Sequence, residues 1–296
     1  MIFYKKRSIL FAVLFLSATF SSMAQDKKLS IEAGPEYRNT NFRWNIAGNM
    51  QGTNPNILSE LIFKPIQSAG FYAKGEYNVV ENFSMGLHYN KLWTYNGEVS
   101  DFDYDGDNRT DPSAELYLQS NKGGFRSAGV DFNYHFLTTN QFTATGGVGL
   151  DFTKEFFYLT DDADPLLQST YDAQWNGPNA TLKGTYQSGV FSIGAGVTYR
   201  YLIYDAKANW NLVQTFQHPV SFTHEANGHG FDSGVSFGIK PNDLLTIGLH
   251  GLYSNWKTGF GTDKLFQTDG QIIKARMNGA IKKSVGLRLT TTFSFY

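Results

Sequence analysis

The pattern that recurs along this chain is alternation. From Leu287 onward, Leu287, Leu289, Phe293 and Phe295 alternate with Arg288, Thr290, Thr292, Ser294 and Tyr296. A period of two, with one apolar and one polar face, marks a strand buried on one side only. Phe83, Met85, Leu87 and Tyr89 alternate in the same way with Ser84, Gly86, His88 and Asn90. So do Phe191, Ile193, Ala195, Val197, Tyr199, Tyr201 and Ile203 with their smaller or polar neighbours, and Val235, Phe237 and Ile239 with Ser236, Gly238 and Lys240. Many positions on the polar faces are Gly or Ser, which suits the crowded inside of a closed barrel.

The connections between these runs come in two kinds. Short ones carry turn residues: 80–82, 138–141, 187–189 and 241–243. Longer polar ones fall near 48–56, 105–121, 161–172, 216–221 and 261–271. Four short turns alternating with five long connections predict ten antiparallel strands with both termini on the short-turn side. The strands are longer than the ~9–11 residues that a membrane crossing needs, so the surplus projects outward. The expectation is an all-β fold: a transmembrane β-barrel of about ten antiparallel strands extending above the membrane.

Composition sharpens this picture. Aromatic residues make up 16% of the chain, with 25 Phe and 17 Tyr, yet no run after the N-terminus is long and apolar enough for a membrane helix. A barrel produces that combination because only one face of each strand meets lipid. A soluble sandwich or lipocalin-like barrel is the competing fold, and it has little use for outward aromatics along such long strands. The chain has no cysteine, so no disulfide framework supports it.

Residues 1–24 carry the marks of a signal peptide. Lys5, Lys6 and Arg7 precede the apolar stretch 8–20, and Ser22, Met23 and Ala24 form a small-x-small site before Gln25. Residues 25–296 are then the barrel. Without those three cations, 22 of the 25 Lys+Arg remain against 26 Asp+Glu, which gives no basis for nucleic-acid binding. The expected partners are outer-membrane lipid, including lipopolysaccharide, and the barrel assembly machinery, which the aromatic terminal strand would engage. The barrel is expected to be monomeric.

The most unusual segment runs from Asp101 to Asp111, with aspartates at 101, 103, 105, 107 and 111. It is open to three readings. It is a solvated rim loop; or it is a calcium loop in which Asp103, Asp105, Asp107 and Asp111 converge on one hard cation; or it holds carboxylates that activate water across a cleft. An EF-hand register from Asp101 fails at its twelfth position, Pro112, where a bidentate Glu is needed. No other cofactor is expected.

Several segments resemble the omptins, ten-stranded outer-membrane aspartic proteases, and their non-protease relatives, the Protochlamydia-type outer membrane proteins. Ser59-Glu60-Leu61-Ile62-Phe63-Lys64 is similar to the omptin S-x-L-x-W-K. Asp101-Phe102-Asp103-Tyr104 is similar to the D-x-D-W that carries two catalytic aspartates. Tyr171 to Pro178, Asn209-Trp210-Asn211 and His224 to Gly228 look more like the non-protease relatives. When the strand from Phe191 is laid on the omptin strand, Asn209-Trp210-Asn211 falls where omptins carry D-x-H. Asparagine cannot take up a proton near neutral pH, and general-base help is worth on the order of 10² to 10⁴-fold. The resemblance therefore implies an omptin architecture without an intact catalytic set, Asp101 and Asp103 being its remnants. Together with Asn209, Trp210 and Asn211 they would form a polar cleft.

Three functions follow as expectations: a non-catalytic barrel that binds at its mouth or serves a structural role, a protease in which His218 or His224 replaces the base, and a small porin. Trp210 reads as an interfacial or packing residue, or as a binding platform. Counted from Phe83, Asp101 and Asp103 have lipid-side parity, and they turn inward only if a one-residue bulge intervenes, most naturally at Gly97. Glu36, Arg38, Lys74, Glu76, Arg126, Lys183, Arg200 and Arg288 are expected inside the lumen, where their charges must pair.

Overall fold

A computed structural model describes residues 28–296, and the expected leader lies outside the described residues. In chain order the strands are β1 (Leu29–Ile46), β2 (Ser59–Val80), β3 (Phe83–Asn96), β4 (Glu98–Gly106), β5 (Thr110–Gln119) and β6 (Gly123–Thr138). They continue as β7 (Phe142–Thr160), β8 (Gln168–Ser188), β9 (Phe191–Asn209), β10 (Phe222–Ile239), β11 (Leu245–Phe266) and β12 (Ile272–Phe295). Every pairing is antiparallel, and β1 bonds both β2 and β12, which closes the ring.

The twelve strands make ten staves. β3 and β4 are one stave interrupted at Gly97, since both run along β2. β5 and β6 are a second, interrupted at 120–122. The short turns fall where the sequence places them. The expected loop 105–121 is instead a β-hairpin, because β4 and β5 keep pairing from Val99↔Leu118 up to Gly106↔Thr110. The expected connections at 161–172 and 261–271 are likewise shortened by strand residues of β8 and β11.

The apolar faces point outward at the short-turn half. Leu87, Ile193, Val235 and Leu287 are each more than half exposed, and so form a lipid-facing belt rather than a core. Above the belt the apolar residues turn inward and fill the lumen. Phe42, Phe63, Phe157, Tyr171, Trp175 and Tyr204 belong to one buried cluster. Ring centroids lie 4.5 Å apart for Phe63–Phe157, 5.4 Å for Phe42–Phe157 and 4.3 Å for Trp175–Tyr204. Each such pair adds about 0.5–1.5 kcal/mol beyond its burial. The cluster is a plug across the upper barrel.

Below the plug several inward residues are charged, and most of these charges are paired. Arg38 and Arg288 share Glu36, Arg200 lies between Asp151 and Asp232, and Lys74 meets Glu76. Lys282, fully buried, lies 3.0 Å from Glu155 and over the Trp256 ring. His88 places its two ring nitrogens 3.2 Å from Asp131 and 2.9 Å from Asp151. Seven of the eight expected lumenal charges are inside. Arg126 is the exception: it alternates with inward Phe125 and Ser127, so it faces out.

Candidate functional site at the outer mouth

The site begins with a change of parity. On β3 the buried inward positions are even-numbered up to Thr94, Tyr95 and Asn96 are both exposed, and the next buried positions, Gly97 and Val99, are odd-numbered. The ladder records the extra residue: Ser68 pairs with Thr94, but Gln67 pairs with Asn96. A Cβ on Gly97 would come within 2.4 Å of Ile66 Cδ1 and 2.6 Å of the Ser120 carbonyl oxygen, so only glycine fits there. The bulge brings Val99 into the plug and gives Asp101 and Asp103 the same facing.

The Trp210 indole lies beside the Asp101 carboxyl, and Ser59 lies beside Asp103, its ladder partner. Burial raises the Asp101 carboxyl to about 7. The neighbouring charge of Asp103 adds to this and the Trp210 indole opposes it. Burial also raises Asp103, with Asp105 adding repulsion. Trp210 continues the inward parity of Leu202, Tyr204, Ala206 and Ala208 and stacks edge-on to Phe222 at 4.8 Å.

Asn209 and Asn211 lie on the alternate positions and are engaged elsewhere. Asn209 Oδ1 lies 2.7 Å from Nδ1 of the exposed His218. Asn211 accepts from the Gln168 backbone N–H at 2.9 Å and from Ser169 Oγ at 3.1 Å, and donates to the Leu166 carbonyl at 2.8 Å. It fastens the 161–168 connection. The positions facing Asp101 therefore carry Trp210 and alanines, and neither asparagine is brought against the aspartates.

His224 is inward but sealed. Its side chain has no exposed surface; Nδ1 lies 2.7 Å from the Tyr171 hydroxyl oxygen, and Nε2 lies 3.1 Å from Asp263. Trp44 and Phe222 close over the ring at 4.7 and 5.3 Å. This Asp263–His224–Tyr171 chain was not legible in the sequence, since its members lie on three different staves.

The aspartates do not gather. Asp107 accepts the Asn56 backbone N–H at 2.7 Å, the Asn56 side chain donates to Asn108 Oδ1 and accepts from the Asn108 backbone N–H, and Arg109 grips Glu60 at 2.6 and 2.9 Å. The tip of the β4–β5 hairpin is thereby tied to the 47–58 connection. Among the described residues no group of three or more His, Cys, Asp or Glu could hold a metal ion.

On the outer wall, a feature missed by sequence reading is a row of cations. Lys91 pairs across the ladder with Arg126, and Arg126 with Lys154. Lys91 lies over the Trp93 ring at 4.9 Å, and Lys154 lies near Phe156 and pairs with Asp172. The register that aligns them cannot be read from residues so far apart in the chain.

The family model for the Protochlamydia outer membrane proteins matches residues 30–295. The chain belongs to this family. Like other such proteins, this Protochlamydia-type barrel resides in the bacterial outer membrane and presents its apolar belt to lipid. Its fold is similar to that of the outer membrane protease OmpT from Escherichia coli, with a TM-score of 0.71 at 10% identity over 90% of this chain and 97% of that one. OprG from Pseudomonas aeruginosa matches at 10% identity over 91% and 96% of the two chains with a TM-score of 0.39. The translocator domain of NalP from Neisseria meningitidis matches at 9% over 92% and 90%, also with 0.39. No curated protein matches the chain. The resemblance to omptins is thus one of fold, and the chemistry of this family member rests on its own mouth.

Proposed function

We propose that this Protochlamydia-type barrel is not a protease and that its mouth is a fixed recognition or structural surface. The observation that carries the reading is that the neighbour of Asp101 from the end of β9 is the Trp210 indole and not a base. An indole N–H donates but cannot accept a proton. His224 does not replace it, because Tyr171, Trp44 and Phe222 keep water from both of its nitrogens. A peptide-library cleavage assay on refolded protein, with lipopolysaccharide supplied, tests this. Turnover at the level of a no-protein control is expected. Turnover that disappears in D101N would restore the protease reading.

The plug supports a closed lumen, in line with small barrels whose interiors are filled by side chains. A steady open conductance of the wild-type barrel in planar bilayers would favour the porin instead. The Lys91–Arg126–Lys154 row supports a contact with phosphates of lipopolysaccharide, since Lys and Arg side by side at a lipid-facing aromatic edge suit anionic headgroups. The K91Q/R126Q double variant is expected to co-purify with less lipopolysaccharide, measured by native mass spectrometry. Equal retention would remove that contact.

A further inference from the structure

Beneath the plug lies a chamber of about 510 Å³. It sits at membrane height, on the short-turn and hence periplasmic side. Inward positions nearer the turns include the small residues Ser192, Gly238 and Gly248. The volume falls in the range of small-molecule sites.

One charge in this chamber lacks a partner. Lys183 makes no ion pair among the described residues, yet its side chain is directed into the chamber and is exposed there. A charged group at membrane depth is costly unless it is paired, and it commonly marks a functional position. Lys74 is its like-charged neighbour in the chamber. The attracting groups are Asp131, Glu76 and Glu32. Asp131 is already held by His88, and Glu76 by Lys74. Only Glu32 is loosely engaged, 3.6 Å from His250.

The two lysines come from opposite walls, on β8 and β2, and both are given room by glycine. A Cβ on Gly196 would crowd Lys183 Cγ at 3.1 Å, and one on Gly86 would crowd Lys74 Cε at 3.1 Å. Glycine thus clears the space along both stems. Asp131 and Glu76 lie within reach of both ammoniums, but Asp131 is held by His88 and Glu76 by Lys74; an anion beside Lys183 supplies the counter-charge that no ion pair gives it. Thr185, Thr198 and Ser236 line the same chamber and add hydroxyl donors. The acidic neighbours limit the charge that can be accommodated, and the space exceeds what a bare ion fills.

We propose that the chamber is a periplasm-facing site for a small organic monoanion, its carboxylate held between Lys183 and Lys74. Equilibrium dialysis of the refolded full-length barrel in micelles against labelled acetate, at constant ionic strength in chloride, tests the site. Saturable binding of one acetate per barrel is expected. It should weaken at least about tenfold in K183Q, persist in the charge-retaining K183R, and be unchanged in K207Q, which alters an outward lysine. Heat-modifiable gel mobility confirms that each variant is folded. Unsaturable uptake, or K183Q binding like wild type, would overturn the proposal. Inorganic phosphate outcompeting acetate would overturn the assignment to monoanions.

Discussion

Asp101 couples the mouth to pH. Its carboxyl titrates near 7 in the folded barrel, against 3.8 for an unperturbed aspartate. Between those values the native state keeps a proton that the unfolded chain has released, so stability falls as pH rises through that window. The unfolding midpoint of the wild type in micelles should therefore decline from pH 4 to pH 8. D101N, which is neutral throughout and still offers an acceptor to Trp210, should flatten that contribution and be the more stable form at pH 8. An unchanged slope in D101N would show that the group is not buried as described. Lower in the lumen, Asp151 serves His88 and Arg200 together and accepts from Asn179. D151A leaves a buried guanidinium short of a partner, and a loss of about 3–5 kcal/mol is expected, read as a lower urea midpoint. Residue identities were legible from the sequence at this scale, but partners were not. Asn209 and Asn211 were named for a cleft and are engaged with His218 and the 161–168 connection, because their side of the strand is set by parity counted from an end that the sequence does not mark.

At the scale of the strand, one extra residue decides what faces the lumen. The parity of β3, the place of Gly97 and the need for a bulge were all readable, since alternation and a lone glycine are local signals. The hairpin of β4 and β5 was not, because above the membrane apolar and polar residues mix on both of its faces and the alternation no longer applies. Deleting Asn96 restores unbroken alternation and should turn Val99, Asp101 and Asp103 outward. The loss of Val99 burial alone is worth about 1.5–3 kcal/mol. The deletion variant should unfold at lower temperature and also lose the pH dependence assigned to Asp101. If it kept that dependence, the bulge would not be what orients the aspartates.

At the scale of the whole barrel, the aromatic plug divides the lumen into a tied-down mouth and a charged chamber. The number of staves, the orientation of the termini and the lipid-facing belt were legible, because they follow from periodicity and loop length. The plug was not, because Phe42, Phe63, Phe157 and Trp175 come from four staves, and no local pattern distinguishes an aromatic that fills a pore from one that meets lipid. Trp175→Ala should cost about 3–5 kcal/mol. Together with Phe42→Ala and Phe157→Ala it should convert a silent barrel into one with measurable ion current in planar bilayers. A triple variant that stays silent would mean that the loops, not the rings, seal the pore.

The wall is fastened by the pairing of Leu29 with Phe295, the beginning and end of the described chain. No partial chain can make that join, so the hoop stays open until the last strand has been delivered. Everything before that moment carries two unsatisfied edges, each able to zip onto a stranger. A barrel of this kind is therefore most vulnerable just before completion, and shortening its tail should be felt first as lost yield and aggregation rather than as altered behaviour of the finished molecule.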